Sequence, residues 1–307
     1  MAPSDTLVDL LAAVGFPPGI PASVAAVDRT GRVETAVVGN WPDGRAVTPD
    51  DRFYAASLTK QVTGAAIAVL VRDGKLDPDM GIATWLRGLP GWSRTVTPRQ
   101  LLHHTSGLPG FGVLENQLPG HWTTEAVLDA LQRVPSATPG PHAYCNVGYI
   151  LLAELVGAVS GEPFPVFAER HLGVGFQPDP LIMPQLPLLG SRLPLSLGDG
   201  GLWTSACDFA LWLHRSNRND FGIEALITAP GSDAPDYGWG IGLRSYRGHP
   251  LFIHGGSWPG AHSKAARCPA LGIGVVVMTA VESNTLVLPL VDAMLDAMAS
   301  RAELAQP

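Results

Sequence analysis

The chain has 307 residues, room for one large domain or two interleaved ones, and 46% of them are hydrophobic, as in a well-packed globular protein. The formal charge of −7 is modest for this length, and there is no basic run or acidic tail, which argues against a nucleic-acid surface and against disorder. The three cysteines are odd in number and widely spaced, so neither a disulfide framework nor a CxxC metal site follows.

Residues 5–14, apolar at Leu7, Leu10, Leu11 and Val14, predict a short helix. Segments 24–27 and 34–38 flank Asp28-Arg29-Thr30-Gly31 and predict two strands joined by a turn. A helix follows from Ser57 to about Asp73, apolar nearly all round and therefore buried, and Gly74 stops it. Thr97 caps another helix with Pro98 at its first position. Segments 123–134, 147–159 and 205–213 predict three more. Strand character resumes at 237–243, with alternating glycines, and returns at 251–254 and 272–279 before a closing helix at 286–298.

This order predicts a mixed sheet built from both chain ends and carrying an inserted helical lobe. In residue numbers, 1–56 with 236–307 form an α/β sheet domain, and 57–235 form a mainly helical domain, with the active site in the cleft between them. No internal repeat is present, and compositional bias is confined to proline-rich loops such as 181–194. The N-terminus lacks the basic and apolar regions of a signal peptide, and the longest apolar runs are too short to span a bilayer. A cytoplasmic protein with no membrane association is expected.

The chemistry centres on Ser57-Leu58-Thr59-Lys60. A serine hydroxyl is inert at neutral pH without a base beside it, and residues three apart on a helix share a face, so Lys60 reaches Ser57. The chain has only three lysines, Lys60, Lys75 and Lys264, and otherwise uses arginine, which cannot act as a base. Two motifs follow in order, Tyr144-Cys145-Asn146 and His254-Gly255-Gly256. Each is weak alone; the ordered set is specific.

With these motifs, and with Leu101-Leu-His-His-Thr-Ser-Gly-Leu-Pro-Gly110, Gly198-Asp-Gly-Gly-Leu-Trp-Thr-Ser205 and Gly272-Ile-Gly-Val-Val-Val-Met278, the chain resembles the serine β-lactamase and penicillin-binding protein superfamily. It is most similar to the class C β-lactamase-like branch, which includes esterases, D-amino-acid peptidases and acyltransferases, and the resemblance covers nearly the whole chain. It implies an α/β (α+β) fold of the β-lactamase/transpeptidase kind: an antiparallel sheet flanked by helices with an inserted all-helical lobe. It also implies roles. Ser57 is the nucleophile at a helix N-terminus, Lys60 takes or relays its proton, and Tyr144 is the partner base that returns a proton to the leaving group. Asn146 orients the substrate amide or Lys60. His254-Gly255-Gly256 replaces the Lys-Thr-Gly of many β-lactamases at the inner sheet edge, and the N–H groups of Ser57 and Ser257 form the oxyanion hole. A unit positive charge at about 4 Å supplies roughly 4 kcal/mol at an effective dielectric of 20, enough to favour a phenolate beside Lys60.

Some positions carry two readings. His254 titrates and binds an anionic substrate, or hydrogen-bonds within the sheet edge. Trp258 lines the acyl pocket or packs under a loop. Cys145 is a reactive thiol or a small buried filler. His103 and His104 lack a third ligand at suitable spacing, so they read as a structural turn and not as a metal site. The Gly238-x-Gly240-x-Gly242 run is not a nucleotide loop, because no phosphate-binding helix follows it. The absence of Gly-x-Ser-x-Gly excludes an α/β-hydrolase elbow. No glutamate-bearing loop of the class A kind is present, so a deacylating water would depend on Tyr144 and Lys60.

The expected function is a serine hydrolase that forms an acyl-enzyme and acts as an esterase or amidase on a small-molecule ester, amide or lactam, with no cofactor or metal. An acyltransferase in a biosynthetic pathway is the alternative, and a non-catalytic binding protein the third reading. The absence of an export signal, and His254 where a lysine commonly receives a β-lactam carboxylate, argue against a dedicated cell-wall peptidase or resistance enzyme. The oligomeric state stays open.

Overall fold

The computed structural model describes residues 6–114, 122–177, 194–281 and 283–304; the proline-rich stretch 181–193 and Asp5 lie outside the described residues. Helix α1 (Leu7–Ala13) starts at Thr6, which forms a reciprocal capping box with Asp9. Strands β1 (Ala22–Val27) and β2 (Val33–Val38) form a hairpin whose turn is held by the Asp28 carboxylate, an acceptor for the Thr30 and Arg32 amides. The short strand β3 (Phe53–Tyr54) leads through a single 3-10 turn, Ala56–Leu58, into helix α2 (Thr59–Arg72). The helical lobe continues with α3 (Pro98–Leu102), α4 (Phe111–Leu114), α5 (Thr124–Leu131), α6 (Asn146–Ser160) and α7 (Phe164–Leu172). Its short strands are β4 (Trp122–Thr123), β5 (Pro194–Leu195) and β6 (Trp203–Thr204). Then come α8 (Ala206–Asn217), α9 (Glu224–Ile227), β7 (Gly242–Tyr246), β8 (His249–Trp258), β9 (Ala261–Cys268), β10 (Ile273–Thr279) and α10 (Asn284–Leu304).

The six-stranded sheet has the order β2-β1-β10-β9-β8-β7, and every neighbouring pair is antiparallel. The mixed sheet read from element order is therefore corrected to a fully antiparallel one, the arrangement the resemblance implied. Helices α1 and α10 cover one face with a core of Leu7, Leu11, Leu290, Met294 and Leu295. Helix α8 covers part of the other face. Its Leu213 packs on Gly274, and its Asn217 side-chain amide donates to the Ile273 carbonyl at 2.9 Å. This helix falls within the stretch 57–235 assigned to the helical domain, yet it packs on the sheet.

Several elements differ from the sequence reading: helix α7 was not read from it, and two further differences bear on the site. Strand β9 was not anticipated, because Ala-His-Ser-Lys-Ala-Ala-Arg-Cys shows neither alternation nor β-branched residues. Its small residues are there because both faces are covered, by α10 and by the Ala56–Leu58 turn. The glycines at 238 and 240 are not strand residues; the strand begins only at Gly242. Gly240 has φ +81°, and a Cβ on it would stand 2.1 Å from the Lys60 carbonyl. Gly240 thus brings the bend flush against α2, the helix that carries Lys60, while Gly238 lies against the Ile227 carbonyl of α9. Among the described residues no single helix is long and apolar enough to cross a membrane.

Candidate active site

Ser57 lies in the 3-10 turn, two residues before α2 begins at Thr59, rather than on the helix proper. The turn is strained at Ala56, a non-glycine residue with φ +47°. Two buried hydroxyls hold it. Ser263 Oγ on β9 donates to the Ala55 carbonyl at 2.7 Å, and Thr59 Oγ1 donates to the Ala56 carbonyl at 2.6 Å. The Ser57 hydroxyl thus stands at a helix N-terminus, where unpaired N–H groups and the dipole favour developing negative charge.

Lys60 is fully buried. Its Nζ donates to Asn146 Oδ1 at 2.7 Å, to the Asp199 carbonyl at 2.8 Å and to Ser57 Oγ at 3.0 Å. The first two are carbonyl oxygens, which only accept. The remaining direction of the nitrogen is aimed at Ser57: an ammonium donates there, and a neutral amine would receive the serine proton there. Asn146, first residue of α6, therefore orients Lys60.

The Tyr144 ring lies 4.9 Å from Lys60 Nζ and is 46% exposed, so it faces both the buried nitrogen and solvent. Around the site, Tyr54, Tyr149 and Tyr237 are held above the ordinary phenol range, in each case first by burial.

The third motif sits on β8 beyond the end of its pairing with β7, which stops at Ile253. Gly256 lies against the Ser57 turn, and Ser57, Asn146, Ser257 and Trp258 line one cleft together with Tyr54, Trp122 and Asp199. The ring of Trp258 packs edge-on to Trp122 at 5.3 Å, so it forms a cleft wall. Gly255 does not face this cleft. A Cβ there would meet the Lys264 chain at 3.1 Å, and it is Gly256 alone that touches the nucleophile's turn.

His254 resolves to the second of its two readings. Its Nδ1 donates to the Gly255 carbonyl at 2.6 Å, so Nε2 is an acceptor and receives the Tyr237 hydroxyl at 2.8 Å. Burial, with a further push from Lys60, lowers its imidazole to about 3. It is a neutral sheet residue with both nitrogens engaged, and it offers no charge to a substrate anion. Cys145 is buried with its thiol pushed up by burial, which makes it a filler and not a reactive group. Both nitrogens of His103 face backbone carbonyls, those of Arg99 and Ala229. Among the described residues there is no cluster of three metal-ligating side chains.

Sequence reasoning assigned no role to Asp199. Its carbonyl holds Lys60, and its side chain, accepting from Ser196 Oγ at 2.9 Å, is buried in the cleft wall. Burial pushes this carboxyl up, and the Lys60 charge pulls it partly back. The signal was available as an aspartate inside a run of glycines, where a side chain is unexpected.

The family model described as Beta-lactamase matches residues 10–297. Unguisins hydrolase ungD of Aspergillus violaceofuscus is 24% identical over 85% of this chain and 58% of its own. Esterase EstB of Burkholderia gladioli is 26% identical over 84% of each chain. Several other curated relatives are matched over only about a third of their length. Among solved structures, a penicillin-binding protein from Bacillus halodurans superimposes with a TM-score of 0.78 at 23% identity, covering 94% of this chain and 98% of that one. The match of the family model along almost all of its length shows that the chain belongs to the beta-lactamase family of serine hydrolases.

Proposed function

We propose that the protein is a hydrolase that forms a covalent acyl-enzyme at Ser57 and acts as an esterase or amidase on a small, uncharged acyl substrate. The observation that carries this reading is the 3.0 Å contact from a fully buried lysine nitrogen to Ser57 Oγ, with the nitrogen's other contacts fixed by two carbonyl oxygens.

Ser57 Oγ attacks the substrate carbonyl, a C–O bond forms, and the carbonyl π electrons move to oxygen. The serine proton passes to the Lys60–Tyr144 pair. The resulting oxyanion is held by the N–H groups of Ser57 and Ser257; one such donor is worth about 3–4 kcal/mol in other acyl-transfer enzymes. On collapse the bond to the alcohol or amine breaks, and that leaving group takes the proton. Exposure supports Tyr144 as the member of the pair that delivers it. Lys60 is sealed inside, whereas Tyr144 reaches solvent and so reaches a departing group. Water then attacks the acyl carbon, gives its proton to the same pair, and frees Ser57 and the acid.

The neutral His254 supports the choice of uncharged substrates, because it supplies no cation for a carboxylate. The test is intact-mass spectrometry after exposure to a fluorophosphonate and to a panel of short-chain esters, amides and lactams. A single adduct on the wild type, mapped to the Ser57 peptide and missing from Ser57→Ala, is expected. Equal labelling of the two proteins would remove Ser57 as nucleophile.

A further inference from the structure

We propose that His104 is the positioning residue for Tyr144: it grips the backbone on both sides of the tyrosine and stacks on its ring. This rests on the proton-carrying role proposed for Tyr144.

Three separate contacts converge on three consecutive residues. The His104 carbonyl accepts the Ala143 N–H at 2.8 Å. His104 Nδ1 accepts the Cys145 N–H at 3.0 Å. Between these anchors, the imidazole lies 4.4 Å from the Tyr144 ring with the planes 34° apart. Tyr144 is half exposed and the His254 ring stands 6.3 Å from it, so the closer stack on His104 is the main hold that keeps its ring over Lys60 Nζ.

The arrangement carries visible costs, which a simple turn would not need. His104 has φ +58°, a left-handed conformation that strains a non-glycine residue. Because Nδ1 accepts, the proton sits on Nε2, and that nitrogen is buried and has no hydrogen-bond partner among the described residues. Glycine or asparagine would make the turn at lower cost, but neither carries a ring to set against Tyr144. Burial first, then the charge of Lys60, hold the imidazole well below its usual range, so Nδ1 remains an acceptor throughout the neutral region. The rings of Tyr149, Tyr237 and His142 stand 5.0, 5.0 and 5.5 Å away and fix the imidazole in turn.

A double-mutant cycle tests the assignment. His104→Ala removes ring and acceptor. His104→Asn tolerates the left-handed backbone and offers Oδ1 to the Cys145 amide, but has no ring. Each is made in the wild type and in Tyr144→Phe, and kcat and KM are measured on p-nitrophenyl acetate beside the far-UV spectrum and melting temperature. The expected result is a fall in kcat of about ten- to a hundredfold for His104→Ala with KM little changed, and a smaller fall for His104→Asn. In the Tyr144→Phe background neither substitution should lower the residual rate by more than about twofold. Equal fold-losses in both backgrounds would overturn the inference while leaving Tyr144 in its role. A Tyr144→Phe enzyme of normal kcat would overturn the reading of Tyr144, and this inference with it. If His104→Ala does not fold, His104→Asn decides: full activity in a folded Asn variant would show that the ring does not matter.

Discussion

Gly256 and the amide of Ser57 meet with no room for a side chain between them. A Cβ on Gly256 would stand 2.8 Å from Ser57 N and 2.3 Å from the Ala55 carbonyl oxygen, and both are backbone atoms that cannot swing aside. The sheet edge and the strained Ala56 turn are thus fitted to one another at the nucleophile. Gly256→Ala should push β8 away from the turn and separate the two N–H groups assigned to the oxyanion. A loss of roughly a hundredfold in kcat/KM is expected, the scale of an ångström of misplacement. Gly255→Ala is the control, because its Cβ would meet the movable Lys264 chain at 3.1 Å and the Ser263 carbonyl oxygen at 3.3 Å, contacts that a shift of a few tenths of an ångström relieves. Steady-state ester hydrolysis checks both, and a fully active Gly256→Ala enzyme would contradict the fit.

Lys60 is predicted to be irreplaceable even by the residue that keeps its charge. Its nitrogen occupies a point where Ser57 Oγ, Asn146 Oδ1 and the Asp199 carbonyl converge. A planar guanidinium does not match that geometry and does not give up its proton. Lys60→Arg and Lys60→Met should both lower kcat by at least about a hundredfold. Lys60→Met should also cost about 1–3 kcal/mol in urea unfolding, because buried acceptors lose their donor. Near-normal turnover in Lys60→Arg would take the lysine out of the proton path.

What the sequence discloses about this site follows from how local each feature is. Ser57 and Lys60 are one helical turn apart, so their contact is set by spacing alone, and motif order located Asn146 and the glycine-bearing edge around Gly256. Features that depend on what lies across the cleft were not legible. The neutrality of His254 comes from its burial and from the charge of Lys60, and the hydroxyl of Tyr237, seventeen positions earlier, occupies its Nε2. Gly238 and Gly240 looked like strand residues because alternation cannot distinguish a strand from a bend pressed on α9 and α2. Strand β9 was invisible for a related reason. Its alanines and serine are chosen by neighbours on both faces and not by strand propensity.

His254 also sets a pH dependence of stability. Its folded value, about 3, lies below its ordinary 6.5. Between those values the unfolded chain binds a proton that the folded chain refuses, so stability present above pH 6.5 is lost as the pH falls toward 3. One such group gives a slope of up to about 1.4 kcal/mol per pH unit. His103 and His104 are lowered by burial in the same direction. His254→Gln keeps an acceptor for Tyr237 but does not titrate, so its slope between pH 6 and 4 should be shallower without vanishing. Urea unfolding at pH 7, 6, 5 and 4 makes the comparison, and identical slopes would show that His254 is protonated in the folded protein.

Away from the cleft, Arg267 on β9 pairs its two terminal nitrogens with the two carboxylate oxygens of Glu224, at 2.9 and 2.7 Å. The guanidinium lies 4.6 Å from the Phe252 ring and the residue is 1% exposed, whereas the Glu224 side chain is 26% exposed. The two partners should therefore be unequal under mutation. Removing the carboxylate leaves a buried cation that has no water to turn to, a loss of about 3–5 kcal/mol. Removing the arginine leaves a carboxylate that can reach solvent, and an apolar chain on Phe252 recovers part of the packing. Glu224→Ala should thus destabilise the protein more than Arg267→Met, and neither should abolish turnover in the folded fraction. Denaturant unfolding of the two variants and of the double mutant measures the asymmetry; a larger loss for Arg267→Met would show that the arginine stabilises through packing and its other contacts more than through this pair.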